Sequence, residues 1–417
     1  MELRRMKVLR NTLLVLLTFF FTLSVQQFLF CPRFNFQEPT SFSGPNIYNP
    51  YAKADSLHWQ KANLHAHSNA WHGFTNGNGT AEDIWKAYDS LGYAFHSVSE
   101  YHAIDKFQAG SSNYIPAYEH GYNVKKTHYQ VLGDEKVTWL DYIMPQTLWN
   151  KQWLLNKLSQ NPETLVVLNH PAIRSGFATS DLQYLEGYRC MEVLNPAAQS
   201  FDHWDAALSA GKPVFVVGND DIHNVFKTSS LGRFCTVVNV EEVNKDNLFN
   251  ALRTGNSYGM SLMKMENETL AQKAHRIGNA PQLISLQVVH DTISLQVSEI
   301  ADEITFIGKN GSELSKTSGS SVASYTLAPG DEYVRAVVSY ADGTSLYLNP
   351  VFRYSDMPFK VSETTINASA TLLFRFLGVV LLTGWAYVIY LILPYRLTRR
   401  RMAYSGWDGN NFPSEAY

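Results

Sequence analysis

Apolar positions along the chain fall into three regimes. Near the N-terminus residues 12–25, TLLVLLTFFFTLSV, form an unbroken run preceded by Arg4, Arg5, Lys7 and Arg10. Near the C-terminus residues 376–393, FLGVVLLTGWAYVIYLIL, carry no charge over 18 positions, about the shortest stretch that crosses a hydrocarbon core. Between them the apolar runs are short. QKANLHAH, GYAFHSVSE, KTHYQVLG, TLVVLNHP, RCMEVLN, KPVFVVGND and RFCTVVNV have the length and β-branched content of strands. Helical spacing separates them over residues 81–91, 146–160, 200–210 and 244–253. Strands alternating with helices predict an α/β fold with a parallel sheet or barrel. Beyond Met265 the pattern becomes all-β, with turns at Lys309-Asn310-Gly311 and Ala341-Asp342-Gly343. That predicts a small sandwich-like module over residues 280–355.

The flanks organise the rest. A basic start followed by an apolar run has the shape of a secretory signal or signal anchor. Bulky Phe30 stands before Cys31, and no small-residue cleavage site precedes it, so residues 1–31 read as an uncleaved anchor. Residues 32–57, rich in Pro, Asn and Ser, read as a linker, and residues 58–265 as the main domain. Residues 356–369 form a second linker, residues 370–394 a transmembrane helix, and residues 395–417 a tail containing Arg396, Arg399, Arg400 and Arg401. Basic residues on both flanks place both termini in the cytoplasm and the domain on the periplasmic or extracellular side. A net charge of −3 offers no electrostatic case for nucleic acid, so the expected macromolecular partner is the membrane, through one or two helices. Of the three cysteines, Cys190 and Cys235 lie in strand-like runs. A disulfide and two buried thiols fit them equally.

Candidate chemistry collects at strand ends. His65 and His67 close one run, and side chains two apart on a strand share a face. His72 follows in the loop. Glu100-Tyr101-His102 closes the next run, YIPAYEHG contributes Glu119, KTHYQVLG contributes His128, LVVLNHP ends on His170, and FVVGNDDIH ends on Asp220, Asp221 and His223. Each piece alone has an ordinary explanation as a polar loop residue, and His58, His96, His203, His275 and His290 are left in that class. Together, imidazoles and carboxylates without cysteine form a ligand set suited to Zn²⁺, Mn²⁺ or Fe²⁺. The C-terminal ends of strands are also where β/α barrels build active sites.

In order and spacing, His65-Ala66-His67, Glu119, His128, Asn169-His170-Pro171 and Asp220-Asp221-Ile222-His223 resemble the polymerase and histidinol phosphatase (PHP) superfamily of metallohydrolases. The resemblance spans residues 58–265. It implies a distorted seven-stranded, TIM-like β/α barrel with two or three divalent ions at its C-terminal face. Carried over residue by residue, His65, His67, Glu119 and Asp221 hold one metal, Glu119, His128 and His170 a second, and His72 with His223 a third. The family reads Asp-His where this chain has Tyr101-His102 after Glu100. The expectation is that the strand has ended there, so that His102 rather than Tyr101 faces the metals, as a ligand or as an acid for the leaving group.

The implied reaction is metal-dependent hydrolysis of phosphate mono- or diesters, with a small molecule or a headgroup as substrate. His102, Asp221 and Arg174 are the expected catalytic residues. Arg174 and Lys227 either bind a substrate anion or are plain surface charges. Two rival readings are a carboxylic or carbamate ester hydrolase with the same cluster, and a membrane-displayed binding module without turnover.

Overall fold

The structure, a computed structural model, describes residues 2–359 and 364–393. The expected tail of residues 395–417 lies outside them. Two compact units result, Phe34–Ile366 and the paired terminal segments.

In the larger unit seven short strands lead to the site. They are β1 (Trp59–Asn63), β2 (Phe95–His96), β3 (Ala117–His120), β4 (His128–Leu132), β5 (Leu165–Asn169), β6 (Cys190–Leu194) and β7 (Phe215–Gly218). β3 to β7 make one sheet in chain order, antiparallel at β3–β4 and β4–β5, parallel at β5–β6 and β6–β7. β1 and β2 pair in parallel in a different sheet. Between the two sheets the backbone bridges are single ones, Ala66 with Ile222 and Tyr101 with Glu119. The fold is mixed α/β, but the expected closed barrel of parallel strands is not formed.

Two local facts explain the difference. The strand Ala117–His120 follows Pro116 and turns back onto β4, so an antiparallel hairpin stands where a parallel crossover was expected. The run RFCTVVNV, expected among the barrel strands, is β8 (Phe234–Asn239) and runs antiparallel to β1. It also pairs antiparallel with β9 (Ser257–Ser261). The helices fall close to the sequence reading. Thr80 opens Ala81–Ser90 with a capping box to Asp83, and Thr147 opens Leu148–Leu158 with Asn150. Each satisfies amide groups that a helix start leaves unpaired. Gly255, at φ 72°, closes Lys245–Thr254 in the left-handed conformation that costs glycine little.

The all-β region comprises β10 (Leu283–Val289), β11 (Thr292–Ile307), β12 (Glu313–Thr326), β13 (Tyr333–Ser339), β14 (Ser345–Leu348) and β15 (Val351–Tyr354). It is not a separate sandwich. β14 pairs with β9, so β10, β11, β13, β14, β9, β8, β1 and β2 run as one sheet. The segment expected as a linker is also built in: Asn46–Tyr48 pairs with β15, and the buried Tyr51 hydroxyl donates to Ser257 O at 2.8 Å. Cys190 and Cys235 are both buried and free, so no disulfide joins them.

In the smaller unit the helices Glu2–Leu29 and Ala368–Ile392 pack together. Trp385 Nε1 donates to Thr18 Oγ1 at 3.2 Å, and a Cβ on Gly378 would come within 2.7 Å of the Phe30 ring. Phe19, Phe20, Phe376 and Leu381 remain exposed. Two helices are thus long and apolar enough to cross a membrane.

Asn349 ties the two parts of the long sheet. Its amide donates to Gly255 O (3.1 Å) and Ser257 O (2.8 Å) and accepts from Val216 N (2.8 Å), fully buried. Asn349→Ala leaves those buried groups without partners, so we expect a loss of about 3 kcal/mol, measured by denaturant unfolding of the detergent-solubilised protein.

Candidate metal centre

Short strands deliver the cluster because their ends, not their middles, turn inward. Asp221 (φ 46°) and His170 (φ 31°) follow β7 and β5 in the left-handed region. Non-glycine residues occupy it at a cost of about 1–2 kcal/mol. Asp220 holds one of these turns. Its carboxylate accepts from Gly232 N (2.6 Å), Arg233 N (2.8 Å), Phe234 N (3.0 Å) and the Tyr88 hydroxyl (2.8 Å). Asp220 is therefore a backbone anchor that leaves its neighbour Asp221 to face the cluster.

Side chains from four residues converge around the imidazoles of His65 and His67. His65 Nε2 lies 3.2 Å from His67 Nε2, 3.4 Å from Glu119 Oε1 and 3.3 Å from Asp221 Oδ1. His67 Nε2 lies 3.3 Å from Glu119 Oε2 and 3.4 Å from Asp221 Oδ1. Donors about 2.1 Å from a tetrahedral ion stand about 3.4 Å apart. Two further imidazoles reach Glu119, His128 Nδ1 at 2.8 Å and His170 Nε2 at 3.1 Å. His223 Nε2 lies 3.4 Å from Asp221 Oδ1, and its ring stacks on His67 at 4.5 Å. The structure thus brings together His65, His67, Glu119, His128, His170, Asp221 and His223, with Glu119 common to two groups of converging ligands.

The donor chemistry fits a cation. His65 Nδ1 stands 2.9 Å from Glu192 Oε1. An ionised carboxylate only accepts, so Nδ1 carries the proton and Nε2 presents a lone pair to its neighbours. Asp221 Oδ1 is buried and has no hydrogen-bond partner. Lone pairs and anionic oxygens crowded this closely require positive charge between them. Without an ion, protons take that place. Burial opposes charging His67, but the nearby carboxylates of Asp221 and Glu119 push its pKa up to about 9. Burial likewise opposes charge on Glu119, yet His128 and His65 hold its carboxyl well below the usual range. His223 is pushed down to about 4 by burial and by His67.

Three expected residues stand elsewhere. His72 is exposed on the 3₁₀ turn Trp71–Gly73, outside the converging ligands. Arg174 is exposed on the turn Ile173–Ser175 and makes no ion pair with the cluster. His102 points away from it. The strand has ended and the chain is turning there, as expected: after an isolated bridge from Tyr101 to Glu119, His102 lies in the left-handed region at φ 50° and its N donates to Glu119 O at 3.0 Å. That turn leaves Tyr101 facing the cluster and carries His102 away from it. Tyr101 stacks on His67 at 4.6 Å with its hydroxyl bonded to Glu119. His102 instead accepts from Gly121 N at 3.1 Å and packs on His120 and Trp139. Burial, Glu119 and Asp221 raise the Tyr101 pKa far above its ordinary value, so the phenol keeps its proton.

Sequence reasoning missed the residues that hold the ligands. Glu192, fully buried mid-strand, orients His65 and accepts from His170 N (3.0 Å), Asn195 Nδ2 (3.1 Å) and Asn219 Nδ2 (3.0 Å). Asn169 donates to Glu119 at 3.0 Å, and Asn195 to Asp221 at 3.1 Å. The available signal was a carboxylate inside the apolar run RCMEVLN.

No family model and no curated protein matches the chain. Among solved structures, one match is a two-domain protein containing a predicted PHP-like metal-dependent phosphoesterase from Bacteroides vulgatus ATCC 8482. It is 13% identical, with a TM-score of 0.38 over 80% of this chain and 100% of that one. PsfC from Pseudomonas syringae PB-5123 matches at 13% identity and a TM-score of 0.35, over 53% of this chain and 97% of its own. Likenesses this distant leave the site to be judged on its own residues.

Three outcomes are expected. Glu192→Gln weakens metal binding about ten- to a hundredfold by freeing His65, whereas His102→Ala leaves metal stoichiometry unchanged by elemental analysis. Below pH 9 a metal must displace the proton that the ion-free site keeps on His67. Metal affinity therefore falls as pH falls, with proton release visible by calorimetry in buffers of different ionisation enthalpy.

Proposed function

We propose that the larger unit is a metal-dependent phosphoesterase of PHP type, hydrolysing phosphate mono- or diesters outside the cytoplasm. One observation carries the reading: Glu119 lies between His65 and His67 on one side and His128 and His170 on the other. A carboxylate so shared suits a centre with more than one ion. His65, His67, Glu119 and Asp221 would hold one ion, and Glu119, His128 and His170 another; His223, beside Asp221, extends the first group. Divalent ions held there lower the pKa of water and offset the negative charge of a phosphoryl group.

The chain's own residues supply the rest. Tyr101, protonated and stacked on His67, covers one side of the cluster and restrains Glu119 through its hydroxyl. Lys126 Nζ lies 5.5 Å from the Tyr101 ring centroid and makes no ion pair among the described residues. It is the cation best placed to meet a phosphate, a role that residue spacing had offered to Arg174 and Lys227. The basic residues Arg4, Arg5, Lys7 and Arg10, which precede the apolar run of residues 12–25, support an N-terminus in the cytoplasm and the catalytic unit across the membrane.

Chelation should abolish hydrolysis of phosphomonoester and phosphodiester substrates and leave protein that contains no stoichiometric metal. Asp221→Ala should lose metal and activity together. Purified protein without divalent metal, or one that cleaves carboxylic esters and no phosphoesters, would refute the assignment. A reporter fused after Tyr417 should be active only in the cytoplasm.

A further inference from the structure

Beside the metal centre runs a cleft lined largely by flat rings, with the polar side chains of Thr75, Asn76 and Asn123 between them. Trp71, Phe74, Tyr101, Tyr122 and Trp139 line it, with Lys126 and His128 where it meets the cluster. Four of the five aromatic residues are largely open to solvent: Trp71 46%, Phe74 93%, Tyr122 47% and Trp139 61%. An exposed apolar patch of this kind marks a binding surface more often than chance, particularly beside a reactive centre. The rings are not loose. Trp71 donates its indole N–H to Tyr101 O at 2.9 Å and meets Trp139 edge to face at 6.1 Å. Trp139 lies nearly parallel to His102, 5.6 Å away, and His102 is itself fixed by the Gly121 amide. The histidine expected at the metals thus serves as backing for the cleft wall.

Resting on the phosphoesterase reading, we infer that the cleft receives the alcohol portion of the substrate, and that this portion is a planar aromatic group. Three features select that chemistry. The lining contains no Leu, Ile, Val or Met, so nothing in it suits a flexible acyl chain. It contains no Asp or Glu, so a cationic group is not favoured. Fixed, offset rings reward a flat partner, which stacks or meets them edge to face, over a puckered one of equal size. Tyr101 and His128 belong to both cleft and cluster, so a phosphoester with its phosphoryl group at the metals and its cation contact at Lys126 extends its ester oxygen toward these rings.

The test is binding of non-hydrolysable phosphonates to the full-length, metal-loaded protein by calorimetry. Benzylphosphonate should bind about tenfold or more tighter than cyclohexylmethylphosphonate, which has the same number of carbons without planarity, and tighter still than methylphosphonate. Trp139→Ala should abolish the benzyl preference and Trp139→Phe should retain most of it; Trp71→Ala serves as the second variant. Equal binding of benzyl and cyclohexylmethyl probes overturns the inference, whatever the protein does with methyl phosphate. A benzyl preference that survives both alanine variants overturns it as well. A benzyl preference lost in those variants, in a protein that hydrolyses no phosphoester, would sink the phosphoesterase reading and leave the aromatic subsite standing.

Discussion

The burial of Glu119 constrains everything around it. Its side chain is 1% exposed, and four imidazoles approach its two oxygens within 2.8–3.4 Å. An ionised carboxylate out of water is costly unless positive charge and hydrogen bonds compensate it. The molecule meets that demand in layers: imidazoles first, then Asn169, Asn195 and Asn219 with Glu192 behind them. The second layer fixes which nitrogen of His65 carries a proton, and so which lone pair faces inward. The same arrangement that would be unstable as a bare set of acids and bases becomes a receptor for cations.

That demand also explains the backbone. Strands β5 and β7 stop early, and left-handed conformations at His170 and Asp221 swing their side chains into a common volume. Asp220 offsets part of the local strain by binding three successive amides, Gly232 to Phe234. Tyr101 and His102 behave likewise: a single bridge to Glu119 holds Tyr101 at the cluster, and the left-handed conformation of His102, φ 50°, carries its imidazole away. That turn decides which side chain meets the cluster and which supports the cleft beside it.

The all-β region belongs to this architecture. β14 lies against β9, β9 against β8, and β8 against β1, the strand that leads to His65 and His67. Asn349 and Tyr51 secure that continuity with buried hydrogen bonds at Ser257. The region thus steadies the scaffold of the centre from behind.

By itself the sequence determined the parts whose signals are local. The four helices were legible from their spacing, six of the seven site-bearing strands from short apolar runs, and the two apolar terminal helices from length and lack of charge. The seven residues of the cluster were legible because His, Glu and Asp recur near strand ends in a fixed order. Tertiary structure alone decided the rest. Whether strands close a barrel, and whether the β region stands apart, depends on hydrogen bonds between segments far apart in the chain, which leave no mark on local periodicity. Glu192 was hidden because a buried carboxylate and an apolar strand residue occupy the same place in an alternating pattern. The inward turn of Tyr101, and not His102, rested on one bridge to Glu119, a contact between residues 18 positions apart.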